Sequence, residues 1–365
     1  MFSKSLMNST ETRSGRTSFF IPALDGIRAI AFLTVFVAHN VWQVNDRVPC
    51  AGGFGVMIFF FLSGYLITTL LRIEAQARGT IDLGHFYLRR ARRILPPLYI
   101  TLALAYVVGT FHLLSYPGTV GGALSVIFFV FNYASLLTQN PALVPSGIVV
   151  VWSLMIEEHF YLLFPCFYKY LCGYRISRKR QMAILLMFCI VPLIWRCWGV
   201  FGLQGHMYPG WEYSATDTRF DSILWGCVLA IAWNPWFGDE AGLLERWKSP
   251  LALVAALALV GELAVRNSLF QETVGYSIQS LALIPIFYYV LSTRSLLTRC
   301  LEWNLLRQIG QLSYTLYLVH DVIRYALDSM IQKTLPVMVL SGTLSVGVAL
   351  LMRYAVENPL RRLIR

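Results

Sequence analysis

The chain has 365 residues, of which 57% are hydrophobic and 13% charged, and its mean hydropathy is +0.59. Soluble domains carry about 25% charged residues, so the composition excludes a soluble domain of ordinary size and predicts an all-α integral membrane protein lying almost wholly in or beside the bilayer. The net charge of +11 reads as positive-inside loops with some anion recognition, not as a nucleic-acid surface.

Residues 1–20 form a polar tail with Lys4, Arg13 and Arg16. The tail lacks an apolar signal core, so it is expected to stay on the cytoplasmic side. Residues 21–362 are expected to make one membrane-embedded domain, with no soluble domain. The seven cysteines (Cys50, Cys166, Cys172, Cys189, Cys197, Cys227 and Cys300) contain no CxxC and lie mostly in apolar runs. That pattern predicts neither a disulfide framework nor a metal cluster.

Apolar stretches fall at about 24–43, 53–72, 94–114, 120–138, 149–171, 182–201, 220–237, 250–265, 276–292, 310–331 and 335–356. Basic residues cluster at 72–93, 169–180, 246–248, 294–307 and the C-terminus. If 120–138 spanned the membrane, the 169–180 cluster would fall outside and every later loop would invert. The expectation is therefore about ten transmembrane helices with both termini cytoplasmic. The stretch 114–148, punctuated by Pro117, Gly118, Gly121, Gly122, Pro141 and Pro145, becomes an outer re-entrant or interfacial segment.

Ionisable residues within apolar runs mark candidate chemistry, because each is costly in lipid. In LDGIRAIAFLTVFVAH (24–39), Arg28 and His39 share one helix face about 16 Å apart in depth. In GGFGVMIFFFLSGYLIT (52–68), Gly52, Gly53, Gly55 and Gly64 permit close helix approach, and Ser63 can hydrogen-bond within the bundle. HFYLRRARRILPP (85–97) sets Arg89, Arg90, Arg92 and Arg93 before the next apolar run. Forked guanidinium donors suit phosphate, although basic juxtamembrane clusters also anchor generically.

In VWSLMIEEHFYLLFP (151–165), Glu157 is expected about 12 Å from the outer end, near the level of His39 and able to orient it; His159 takes a bland role. In TDTRFDSILWG (216–226), Arg219 and Asp221 form either a structural pair or part of an outer acceptor site. GQLSYTLYLVHDVI (310–323) aligns Ser313, Tyr317 and His320 on neighbouring turns. No Walker loop, HExxH or metal-spaced ligand set is present.

The order of these motifs resembles the membrane acyltransferase-3 family, integral-membrane O-acyltransferases of the O-antigen and polysaccharide O-acetylase type. The residues that carry the resemblance are Arg28 with His39, Gly55 to Ile67, Phe86 to Pro96, Trp152 to Leu162, Thr218 to Asp221, Ser313 to His320 and Glu357-Asn358-Pro359. Met57 departs from the pattern, since many members carry an acidic or polar residue there. The resemblance is to the membrane domain alone, without the SGNH-type domain that some members append, so acyl transfer is expected to be completed by the membrane domain or handed to another protein.

The resemblance implies an acyl-CoA donor, commonly acetyl-CoA, taken from the cytoplasmic side as a substrate rather than as a bound cofactor. Arg89, Arg90, Arg92 and Arg93 would meet its phosphates, and Arg28 would either hold its polar arm or stabilise charge within the pore. His39 would be the general base, oriented by Glu157. Trp152, Ser153, Arg219, Asp221, Tyr317 and His320 would shape the acceptor site. The acceptor stays open: a surface carbohydrate such as lipopolysaccharide, a lipid-linked glycan or a small hydroxylated metabolite. The expected location is a bacterial inner membrane. The competing readings are a transporter or flippase for a polar or lipid-linked solute, and an idle partner built on the same scaffold.

Overall fold

The computed structural model describes residues 20–41, 52–202, 209–239, 241–265, 267–332 and 334–362. The polar tail with Lys4, Arg13 and Arg16, together with Cys50 and the C-terminal Arg361, Arg362 and Arg365 side chains, lies outside the described residues. In chain order the helices are α1 (Pro22–Val41), α2 (Gly52–Arg78), α3 (Leu83–Thr110), α4 (Val120–Ile127), α5 (Phe131–Thr138), α6 (Trp152–Gly173), α7 (Arg178–Cys197) and α8 (Trp211–Ser214). There follow α9 (Thr216–Ala232), α10 (Leu243–Arg246), α11 (Lys248–Ala264), α12 (Ser268–Phe270), α13 (Tyr276–Ser292), α14 (Leu296–Leu301), α15 (Asn304–Asp328), α16 (Leu335–Met352) and α17 (Asn358–Arg362). Among the described residues the only extended pairing is an isolated bridge between Pro117 and Pro145.

The protein is an all-α integral membrane bundle. Seven helical stretches are long and apolar enough to cross a membrane. With α9, α11 and the more polar α15 there are ten helices of at least seventeen residues among the described residues. The stretch 120–138 breaks into α4 and α5, each of eight residues. At about 12 Å apiece, neither crosses a hydrocarbon core of about 30 Å. The broad faces of α7, α11 and α16 carry exposed Val191, Ile194, Val254, Leu257, Val260 and Leu351, as helices facing lipid do.

The arginine cluster is helix, not loop. The Asp82 carboxylate caps α3 by accepting from the His85 backbone N–H at 3.0 Å, so the helix starts at Leu83 instead of near 94. Local physics favours this, because straight-chain residues dominate 85–95 and propagate a helix once it is capped. Pro96 and Pro97 fall inside α3 and remove the N–H groups that would have bonded the Arg92 and Arg93 carbonyls.

The centre of the bundle is α2 against α9. A Cβ on Gly64 would lie 2.0 Å from the Ile223 carbonyl oxygen, and one on Gly226 would lie 2.0 Å from that of Phe61. Only glycine permits this backbone contact, and close packing is what holds helices together in lipid. The basic loops meet at one end: Arg72 of α2 and Arg178 of α7 both pair with Asp239, at 2.9 and 2.7 Å. At that same end Gln311 of α15 donates to Asp25, and Arg353 donates to Gln311.

Candidate active site

Three parts of the chain supply the arginines of the entrance at the basic end. Arg28 projects from the first turns of α1 and pairs with Asp25 at 3.1 Å. Arg89, Arg92 and Arg93 come from α3, and Arg353 follows α16. These five arginines, with Phe20, Asp25 and Gln311, line an open basin. Outside the membrane span, the backbone N–H and imidazole of His85 hold the Asp82 carboxyl below the usual range, so the cap stays charged at neutral pH.

Arg28 and Arg93 also line an inner cleft of about 870 Å³ of space not filled by atoms. Its walls come from α1, α2, α3, α6 and α15, with Arg90 beside the two shared arginines. The arginine helix thus turns Arg90 and Arg93, one turn apart, towards the cleft and keeps Arg89 and Arg92 at the mouth. The Arg90 guanidinium lies 5.1 Å from the Tyr161 ring centroid.

Polar groups occur in two rungs along the cleft. In the first, Ser63 Oγ donates to Glu157 Oε1 at 2.9 Å, and the Tyr161 hydroxyl lies 3.2 Å from Glu157 Oε2 and 3.0 Å from Ser63 Oγ. In the second, the Ser153 and Tyr317 hydroxyls are 2.8 Å apart, and Tyr317 also donates to the Val150 carbonyl at 3.0 Å. Between them apolar side chains such as Phe59, Phe60, Leu154 and Leu318 complete the wall. Tyr314 donates to the Ile94 carbonyl at 2.8 Å and ties α3 to α15.

His39 stands beyond the second rung. Its Nδ1 is 3.0 Å from His320 Nε2 and 3.6 Å from Asp321 Oδ1. Asp321 is in turn held by Arg324 at 2.6 Å. Glu157 is therefore not the partner of His39: it bonds Ser63 and Tyr161, while the histidine has His320 and Asp321. The expected equality of depth fails because α6 starts below the outer segment, at the level of Tyr317 rather than of His320. Three residues along α15 and four along α6 place Glu157 about 10 Å nearer the arginines than His39.

The expected acceptor residues divide. Ser153 and Tyr317 line the cleft. Trp152 packs on Tyr213 with centroids 4.6 Å apart and on Phe60 at 6.4 Å. His320 is fully buried against His39. Arg219 and Asp221 do not pair with each other. Asp221 is chelated by Arg196 at 3.0 and 2.9 Å, with both side chains 0% exposed. Arg219 lies over the Tyr276 ring at 3.6 Å, and its Nη2 reaches Met57 Sδ at 3.0 Å. Met57, the departure from the family pattern, is thus the residue facing that arginine. Asp221 lies two residues further along α9, about 200° round the helix, so it faces away from Arg219 and meets Arg196 of α7.

Sequence reasoning passed over Arg196, although an arginine inside the apolar run 182–201 carried the signal that flagged Arg28. It also missed Tyr161, which shares a face with Glu157 at i, i+4. His159 lies outside the cleft lining, with Nδ1 2.7 Å from Thr216 Oγ1. The six described cysteines are free thiols.

The fold and site define a helical integral-membrane protein in which a five-arginine mouth joins a cleft lined by hydroxyls and a carboxylate. Residues 21–354 match the acyltransferase domain of the acyltransferase-3 family, and the chain belongs to that family of membrane acyltransferases. It is similar to O-acetyltransferase OatA of Staphylococcus aureus, 32% identical over 370 residues covering 94% of this chain and 57% of that protein. It is also similar to peptidoglycan O-acetyltransferase OatA of Listeria monocytogenes, 27% identical over 312 residues covering 82% of this chain and 49% of that one. The chain thus spans about half the length of these curated relatives. No solved structure matches it.

Proposed function

We propose that this protein moves an acyl group from acyl-CoA to a carbohydrate hydroxyl across the membrane. The observation that carries the reading is the continuity from mouth to cleft: Arg28 and Arg93 line both. The arginine mouth faces the cytoplasm, in keeping with the positive-inside rule, and receives the phosphates of CoA. The pantetheine arm runs along the cleft past the Ser63–Glu157–Tyr161 rung and presents its thioester near Ser153, Tyr317 and His39.

His39 acts as general base on the opposite side. It takes the proton of the acceptor hydroxyl as the new O–C bond forms on the thioester carbonyl. The C–S bond then breaks, and the CoA thiolate recovers that proton from the imidazolium. Acetyl is the transferred group by the names of the relatives, and a peptidoglycan-like glycan is the acceptor by the same argument. The membrane is a bacterial plasma membrane.

The test is purified protein in nanodiscs with radiolabelled acetyl-CoA and soluble glycan fragments. Release of free CoA and labelling of glycan are expected, and both are lost in His39→Ala. Undiminished CoA release by His39→Ala, or no turnover by the unaltered protein with any glycan, would refute the reading.

A further inference from the structure

We infer that His320 is a positioning residue that holds the His39 ring with its proton on Nδ1, leaving Nε2 as the basic nitrogen. The inference rests on the reading of His39 as general base. His320 is fully buried, and its Nδ1 lies 2.8 Å from the Tyr317 carbonyl oxygen and 3.2 Å from that of Leu316. Carbonyl oxygens only accept, so His320 Nδ1 carries a proton. In a neutral imidazole the other nitrogen, Nε2, then has only a lone pair to offer. That lone pair faces His39 Nδ1 at 3.0 Å. His39 Nδ1 must therefore be the donor.

Ring geometry supports a directed bond rather than a face-to-face stack. The two imidazole planes differ by 11° and their centroids are 5.2 Å apart. That separation is the sum of one N–H···N bond and two ring radii, so the rings lie nearly coplanar, edge to edge. Phe32 meets the His320 ring edge-on at 5.7 Å, and Phe36 and Tyr317 pack at 6.3 and 5.8 Å. These neighbours prevent His320 from turning its acceptor away.

The same geometry argues against a metal centre. His39, His320 and Asp321 bring three donor atoms within 4.8 Å of one another. A bound ion needs both nitrogen lone pairs aimed at one point about 2 Å from each, whereas coplanar facing rings aim them at each other. Asp321 Oδ1, at 3.6 Å from His39 Nδ1, is too distant for a hydrogen bond but near enough to stabilise the imidazolium that forms when Nε2 takes the acceptor's proton. Throughout the reaction the Nδ1 proton stays on His39; only Nε2 gains and loses one.

The test combines kinetics with ¹⁵N NMR of histidine-labelled protein in nanodiscs, the His39 signals being identified by their loss in His39→Ala. Nδ1 of His39 is expected to be the protonated nitrogen. His320→Leu should lower kcat at least about tenfold to a hundredfold, the range for losing an outer partner that orients a histidine, with KM for acetyl-CoA changed less than twofold. It should also mix the His39 tautomers. His320→Gln, whose Oε1 can accept from Nδ1–H, should recover most of the rate. His39 protonated on Nε2 in the unaltered protein would overturn the inference without reference to any variant's folding. An inactive His39→Ala beside a fully active His320→Leu would overturn the positioning role alone. A fully active His39→Ala would overturn the base reading and this inference together.

Discussion

Asp221→Ala tests the most deeply buried ion pair among the described residues. Arg196 uses all five of its N–H donors. Nε donates to the Thr273 carbonyl, Nη1 to the Thr218 carbonyl and Asp221 Oδ1, and Nη2 to Asp221 Oδ2 and Ser277 Oγ. Removing the carboxylate orphans two of the five and leaves a cation without its counter-charge where both side chains are 0% exposed. Breaking a buried pair in this way costs about 3–5 kcal/mol. Because Ser277 and the two carbonyls remain, the lower end, about 3 kcal/mol, is expected. At about 2–4 °C per kcal/mol for a large domain, the thermal midpoint in detergent should fall by about 10 °C. The double variant Arg196→Met with Asp221→Leu should recover most of that loss, since an apolar pair can replace a buried ionic one. Combining Asp221→Ala with Arg219→Met should give additive shifts, within about 0.5 kcal/mol. An unchanged midpoint in Asp221→Ala, or strong coupling of Asp221 to Arg219 in place of Arg196, would refute the assignment.

Other consequences concern the mouth and the helix contacts. Arg93→Ala should weaken acetyl-CoA about tenfold or more, the worth of one charge-assisted phosphate contact at about 1.5–3 kcal/mol, and leave acetyl-pantetheine unaffected; titration of both donors checks this. Gly64→Val places side-chain atoms where a Cβ alone would stand 2.0 Å from the Ile223 backbone, so α2 and α9 must part. A loss of at least about 2 kcal/mol is expected from overpacking, read as a lowered unfolding midpoint. Asp82→Ala removes the cap of α3 and should speed amide hydrogen exchange in its first turn, including His85, with the central helices unchanged. In the unaltered protein the Asp82 carboxyl is held below its usual range. The cap's contribution is therefore present above the ordinary carboxylate pKa and lost as pH falls through the lowered one, and protection of the His85 amide, relative to its intrinsic exchange rate, should fall only in acid.

Much of the architecture was legible in the chain because lipid imposes simple rules. Apolar runs long enough to cross a bilayer, and basic clusters that must share one side, led to ten long helices and a broken segment at 114–148. The face shared by Arg90 and Arg93 follows from their spacing of three on a helix, but it emerges only once the stretch from Leu83 is helical. Where the sequence misled, two helices were involved. Reading 72–93 as a loop weighed the cluster of charges and overlooked the cap at Asp82, which the chain itself displays.

Tertiary structure alone decided who meets whom. Depth counted along one helix put Glu157 level with His39, but helices in a bundle start at different heights, and α6 begins a turn below His320. Adjacency along α9 suggested Arg219 with Asp221, yet Arg196 arrives from another helix with a better geometry. Sequence by itself determined the membrane class and displayed the arginine cluster and the histidine within the first apolar run, since these follow from composition and from charge in apolar surroundings. The partner of that histidine, His320, is 281 residues away, and no periodicity within either helix could bring the two rings edge to edge. Only the packing of α1 against α15 does so, where the Gly310 backbone closes on Asp25 at a distance no side chain permits.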